Sequence, residues 1–344
     1  MNLVIDNAYL ILHPLHLIPY PSPLTPYTSS FTPSTMFTLE ARHIHKSYAK
    51  HVALNDVSIA VPEQSVFGLL GPNGAGKTSL IRIINQITGP DQGEVLFCGK
   101  PLQPGDVEFI GYLPEERGLY KKMKVGEQCM YLAQLKGLSA REAQTRLKAW
   151  FERFEISNWW DKKVEDLSKG MAQKVQFITT ILHKPKLLIL DEPFSGFDPI
   201  NAELIRLEML RLKDEGTTII LSTHDMGSVE SLCDNIALIN RSHVILDGSV
   251  KDIKSRFRTQ TYRVDFEGAA MDIGIGLWTQ FELLRTASDE KGAFAEIKLL
   301  GNRSLNDLLQ SLIPHVQIHG VNEIVPDMEQ IFIQAVQQFN ATHE

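Results

Sequence analysis

The stretch SVFGLLGPNGAGKTSLIRIINQITGP, residues 65–90, sets the frame for reading the rest of the chain. Its first six residues form a short apolar run, the pattern of a parallel strand covered on both faces. GPNGAGKT then matches G-x-x-x-x-G-K-[ST] in full, from Gly71 to Thr78. Glycines at those positions let successive backbone N–H groups curl around a phosphate. Lys77 is placed to neutralise β- and γ-oxygens, and the Thr78 hydroxyl to ligate Mg2+. At ordinary glycine usage a chain of this length meets the pattern by chance about once in a hundred, and here a buried strand precedes it and an amphipathic helix follows. That helix is expected to carry Leu80, Ile81, Ile84 and Ile87 on one face and to stop at Gly89-Pro90. Gly71, Pro72, Asn73, Gly74, Ala75, Gly76, Lys77, Thr78 and Ser79 therefore read as a nucleotide site.

Outward from this segment the chain alternates strands and helices. FTLEARHI and ALNDVSIAVP alternate apolar and polar residues at the period of half-buried strands, while KLLILD and TTIILST are continuous apolar runs. The pattern implies a mostly parallel α/β sheet wrapped by helices. A mainly helical block, about residues 120–168, interrupts it, with Ser139 opening its second helix. Residues 37–255 are taken as this first unit. Residues 256–344 read as a smaller α+β unit: TYRVDF as a strand, FELLRTAS and AFAEIKLL as a hairpin about DEKG, and helices carrying Leu305, Leu308, Leu309, Leu312 and then Met328, Ile331, Phe332, Val336. A ferredoxin-like sandwich is the expectation for it.

The composition narrows the function. The 344 residues carry a net charge of −7, which offers no basic track for a nucleic acid. Cys98, Cys129 and Cys233 lie far apart without histidines at zinc spacing, and read as buried thiols of a reducing compartment. No run reaches the eighteen or so apolar residues a membrane helix needs. Residues 1–36 stand apart: the first 35 have no Lys or Arg, one acid (Asp6) and six prolines, and are expected to be a disordered extension ahead of a more natural start at Met36.

Two further elements complete the chemistry. In KLLILDEP a carboxylate pair closes a buried strand, so that Asp191 would hold magnesium and Glu192 would act as general base on the attacking water. His224 closes IILSTH at the same carboxyl edge of the sheet, where α/β folds place ligands, and is assigned to the γ-phosphate.

With these residues in order, about residues 38–250 resemble the nucleotide-binding domain of an ATP-binding cassette (ABC) transporter, a P-loop NTPase fold. The resemblance implies ATP with Mg2+ as cofactors. It also implies roles for residues that read ambiguously alone. Tyr48, otherwise an ordinary edge-strand tyrosine, would stack on adenine. LSKGM, otherwise a capped surface helix start, would supply Ser168 and the backbone at Gly170 to cap the γ-phosphate held by a second copy. Asp198, in SGFD, would cross to that copy. The resemblance further implies a separate membrane-spanning permease as partner, a place at the cytoplasmic face of the membrane, and no nucleic-acid partner.

The chain departs from the family pattern at three positions. Lys169 and Met171 replace a glycine and a glutamine of the signature, and Glu115 in YLPEERGLY stands where a magnesium-touching glutamine is usual. A carboxylate there would tie occupancy more firmly to the metal. YLPEERGLY, LSKGMAQKVQ and the C-terminal unit are together similar to an exporter branch that moves sodium, drugs or peptides. A DNA-repair ATPase of the same superfamily would show long heptads, a ribosome-acting factor two cassettes, and a GTPase switch an N-K-x-D signature. None is found in the sequence.

Overall fold

In a computed structural model, the residues described are 36–49, 51–116, 118–268, 273, 274, 277, 280–289 and 292–343. The extension expected over residues 1–35 lies outside them, as do Glu290 and Lys291 of the DEKG turn.

Three sheets organise the chain. An antiparallel one joins β1 (Phe37–Tyr48), β2 (His51–Pro62), β4 (Gln92–Phe97) and β5 (Lys100–Pro101) in the order β2-β1-β4-β5. The central sheet joins β3 (Val66–Leu70), β6 (Ile110–Leu113), β7 (Leu187–Asp191), β8 (Thr218–Ser222), β9 (Asn235–Asn240) and β10 (His243–Ser249) in the order β10-β9-β3-β8-β7-β6. Its pairings are parallel except β9 with β10. The continuous apolar runs now have their reason, because alternate residues feed two cores. Phe67, Leu69, Ile189, Ile220 and Ile239 face the first sheet and α1 (Lys77–Ile84), while Val66, Leu70, Leu190, Leu221 and Leu238 face the helices on the other side. Each such side chain, fully buried, contributes about 1.5–3 kcal/mol.

The second core also receives the helical block. There α2 (Val125–Leu135) and α3 (Ala140–Arg153) pack beside α4 (Lys169–Ile181). Ser139 caps α3 in a capping box with Glu142. The block is fastened to α5 (Pro199–Asp214) by an ionic cluster, in which the buried Glu208 carboxylate accepts from Arg153 of α3 and from Arg211 at 2.9 Å. Both guanidiniums approach the Trp150 ring.

The third sheet is all antiparallel, with β11 (Thr261–Glu267), β12 (Phe281–Asp289), β13 (Gly292–Leu299) and β14 (Gln317–Ile324) in the order β12-β13-β11-β14. That is the 4-1-3-2 strand order of a ferredoxin-like sandwich. It follows α7 (Val250–Arg256) in the chain and has its own core, to which α8 (Leu305–Leu312) gives Leu308 and Leu312.

Three sequence readings are corrected. The helix after the phosphate loop ends at Ile84, not Gly89, because the Asn85 side chain turns back to donate to Ile81 O and Gln86 takes a left-handed φ of +55°. Ile87 is consequently 62% exposed and off the buried face. Cys98 is only half-buried, beside Lys186. The last helix, α9 (Met328–Thr342), does not join the core of the third sheet. Its Met328, Ile331 and Ala335 enter the helix-side core of the central sheet, next to α6 (Met226–Leu232).

Candidate nucleotide site

The phosphate loop leaves β3 and enters α1 through three glycines with positive φ. Gly71 and Gly76 are also sites of close approach: a Cβ on Gly71 would stand 2.1 Å from Ile239 O, and one on Gly76 2.4 Å from Ala53 O. The loop is thus held between the end of β9 and β2. No side chain caps α1 and no acid occupies its first turn, whereas Ser139, Ser168, Asp198 and Asp327 cap their own helices. The first N–H groups of α1 are left for an anion, on the positive end of the helix dipole.

Lys77 is buried and donates to Gly71 O at 2.6 Å and to Pro72 O at 3.2 Å. Burial depresses its pKa, against the opposing charges of Glu192, Asp191 and Glu115. Asp191, at the end of β7, is 6% exposed. Its pKa is raised, chiefly by burial, and the nearby Glu115 and Glu192 add to the rise. Three carboxylates and one ammonium thus share the mouth of the loop, with Glu115 exposed after β6. Tyr112 belongs to the same field; burial and then the Asp191 charge push its phenol up to about 12.

Glu192 has φ +49°, a strained backbone for a side-chain-bearing residue, fixed by its N–H donating to Ser222 O at 2.9 Å. Its Oε1 accepts from His224 Nδ1 at 2.7 Å, and Oε2 from the Thr223 hydroxyl at 3.5 Å. Thr223 and Tyr112 carry no sequence signature. Thr223 and His224 directly follow Ser222, which pairs with Asp191 at the end of the β7–β8 register.

Ser168, Gly170 and Asp198 form a second group. Ser168 caps α4, accepting from Met171 N at 3.3 Å. Asp198 caps α5, accepting from Asn201 N at 3.0 Å, and those Asn201 contacts depress its pKa. The two helix starts touch: the Gln173 amide donates to Ser195 O, the Lys169 side chain lies over Gly196, and Phe197 lies against Gly170. Tyr48 ends β1, 40% exposed, with the Lys46 ammonium 5.5 Å from its ring centroid. The charged residues gather at the loop mouth, while Tyr48 and the second group lie on other segments.

Residues 54–195 match the family model described as ABC transporter, and residues 248–336 the one described as ATP-binding protein DrrA1-3-like, C-terminal domain. An uncharacterised ABC transporter ATP-binding protein, YhaQ of Bacillus subtilis, is 47% identical over 222 residues, which are 64% of this chain and 74% of YhaQ. The chain belongs to the ABC transporter ATP-binding proteins. It is accordingly the ATP-binding, ATP-hydrolysing subunit of such a transporter. The linearmycin resistance ATP-binding protein LnrL of the same organism is 33% identical over 226 residues, 65% of this chain and 73% of LnrL. A solved ATP-binding subunit of an ABC transporter superposes with a TM-score of 0.61 at 31% identity, covering 64% of this chain and 93% of its own. Among the described residues no helix is long and apolar enough to cross a membrane. No group of three or more His, Cys, Asp or Glu side chains there could hold a metal ion.

Proposed function

We propose that two copies of this ABC subunit close head to tail around two ATP molecules and drive export of a drug or peptide through a separate permease at the cytoplasmic face of the membrane. The observation that carries the pairing is the packed surface of Lys169, Gly170, Gln173 and residues 195–197. It couples Ser168 and Asp198 within one chain, each the cap of its own helix. A drug or peptide as cargo is supported by the likeness to LnrL, a linearmycin resistance ATP-binding protein.

In the closed pair Lys77 exchanges its two carbonyl partners for phosphate oxygens. Tyr48 stacks on the adenine. Glu192 accepts the proton of the attacking water, and His224 holds that carboxylate in place through Nδ1 while its other nitrogen meets the γ-phosphate. Thr78, Asp191 and Glu115 would hold a magnesium ion, which would supply positive charge against that developing on the phosphates. With Glu115 as a ligand, Glu115→Gln should shift the magnesium dependence of hydrolysis to higher concentrations; an unchanged curve would reject the assignment.

The permease contact is assigned to the loop beginning at Glu115 and the helical block. A cavity of about 250 Å³ opens there, lined by Tyr112, Pro114, Leu119, Leu132, Leu135 and His183. Leu135 is 62% exposed. Co-expression with its permease tests the assignment. Leu135→Glu should release the subunit from the membrane fraction while ATP binding persists, and retention would place the contact elsewhere.

A further inference from the structure

The turn joining β9 to β10 is built from Arg241 and Ser242, with φ +43° and +70°. Two-residue hairpin turns of this hand favour Asn-Gly, and an arginine and a serine hold the conformation only where the surroundings impose it. Here they do. Ser242 N donates to Ala75 O at 3.1 Å, its hydroxyl donates to Val52 O at 2.6 Å, and its carbonyl accepts from Asn55 N at 2.9 Å. The first of these bonds reaches into the phosphate loop. In a trans peptide the carbonyl and the next N–H point opposite ways, so anchoring Ala75 O turns the Gly76 N–H to the other side of the loop.

The same turn is held from outside by the end of the last helix. Asn240 Nδ2 donates to Asn340 Oδ1 at 3.2 Å, and the His243 ring lies 5.8 Å from the Phe339 ring, which itself stacks on His343 at 4.1 Å. His243 Nδ1 must donate to Arg241 O, so Nε2 accepts from the Asn55 amide at 2.8 Å. Both imidazole nitrogens are thereby used on either side of the turn. Upstream, Met328, Ile331 and Ala335 fix the rest of α9 to the core.

We propose that Phe339, Asn340 and His343 are positioning residues for the nucleotide site, acting through Asn240, His243 and Ser242 on the Ala75–Gly76 peptide. The C-terminal helix is then a strut behind the phosphate loop, and ATP affinity depends on its last turn. The inference needs only that ATP binds at the loop, not that the chain pairs or exports.

The test uses the full chain with Phe339→Ala/His343→Ala and, separately, the milder Asn340→Ala. Binding of ATP with Mg2+ is measured by calorimetry in a Glu192→Gln background, and steady-state hydrolysis in the wild-type background. The dissociation constant and KM should rise about three- to tenfold, the worth of one hydrogen bond, with kcat at saturating ATP within about twofold. Amide exchange in residues 71–79 should quicken, and Phe339→Tyr, which keeps the stack, should restore KM. Unchanged ATP affinity in Asn340→Ala together with unchanged exchange in residues 71–79 would overturn the proposal. So would a fall in kcat with KM unmoved. If the double variant does not fold, Asn340→Ala alone decides.

Discussion

Glu192 and His224 meet through a 2.7 Å hydrogen bond from Nδ1 to Oε1, made across the β7–β8 edge from a glutamate held at φ +49°. The strained backbone aims the carboxylate at the mouth of the phosphate loop, and the imidazole fixes its rotation. Glu192→Gln keeps the size and the bond from His224 Nδ1 to the amide oxygen but loses the base. Turnover should fall by about 100-fold or more while ATP binding persists, measured as phosphate release and equilibrium binding. His224→Ala should leave the carboxylate free to rotate and cost about tenfold or more. If both variants turn over at the wild-type rate, the chemistry lies elsewhere.

The glycines of the loop differ in what they tolerate. Gly71→Ala and Gly76→Ala drive a methyl into backbone carbonyls at 2.1 and 2.4 Å and should abolish nucleotide binding. Gly74→Ala meets no atom of the described residues within 4 Å and costs only what its φ of +80° imposes, about 1–2 kcal/mol. It should still bind ATP. Equal loss in all three would mean that conformation, not close approach, sets the requirement.

Much of this was legible in the sequence because each feature depends on local chemistry. The phosphate loop, the two-faced strands and the Ser139 cap follow from residue type and spacing. The exceptions depend on what the chain meets later. Ile87 fits the helical period, but Asn85 ends the helix by bonding Ile81 O. The apolar stripe of α9 reads as core without saying whose core, and it lies with α6 rather than in the third sheet. Nothing near Ser242 announces a bond to Ala75 across more than 160 positions. The sequence places Glu192 and His224 at the ends of neighbouring strands, but does not show the left-handed φ at Glu192 with which they meet.

His183 gives a pH signature to stability. Burial and the charge of Lys136 lower its pKa from 6.5 to about 4. Above pH 6.5 it is neutral folded and unfolded, and contributes no pH dependence. As pH falls from 6.5 towards 4 the unfolded chain takes up a proton that the folded chain refuses, so stability is lost, by about 1–3 kcal/mol. Urea unfolding at pH 7 and pH 4.5 should show a smaller loss in His183→Gln than in the wild type. An identical loss would mean that the ring is protonated in the folded chain.

Glu208 should be a stability residue. Its side chain is 3% exposed and bridges Arg153 of α3 to Arg211 of α5. Glu208→Ala leaves two guanidiniums facing each other and should cost about 2–3 kcal/mol, the low end for a broken buried pair because both arginines are partly exposed. A urea midpoint within error of the wild type would show that the cluster adds nothing to the hold between the helical block and α5.

We propose that the copy that binds ATP is sealed by Ser168 of another. The most direct test is the mass in solution of Glu192→Gln protein with ATP and Mg2+. A doubled mass that reverts on adding Ser168→Arg, with ATP binding at Gly71–Thr78 retained, is the predicted result. A single-copy mass with bound ATP, both free and on the permease, would contradict it.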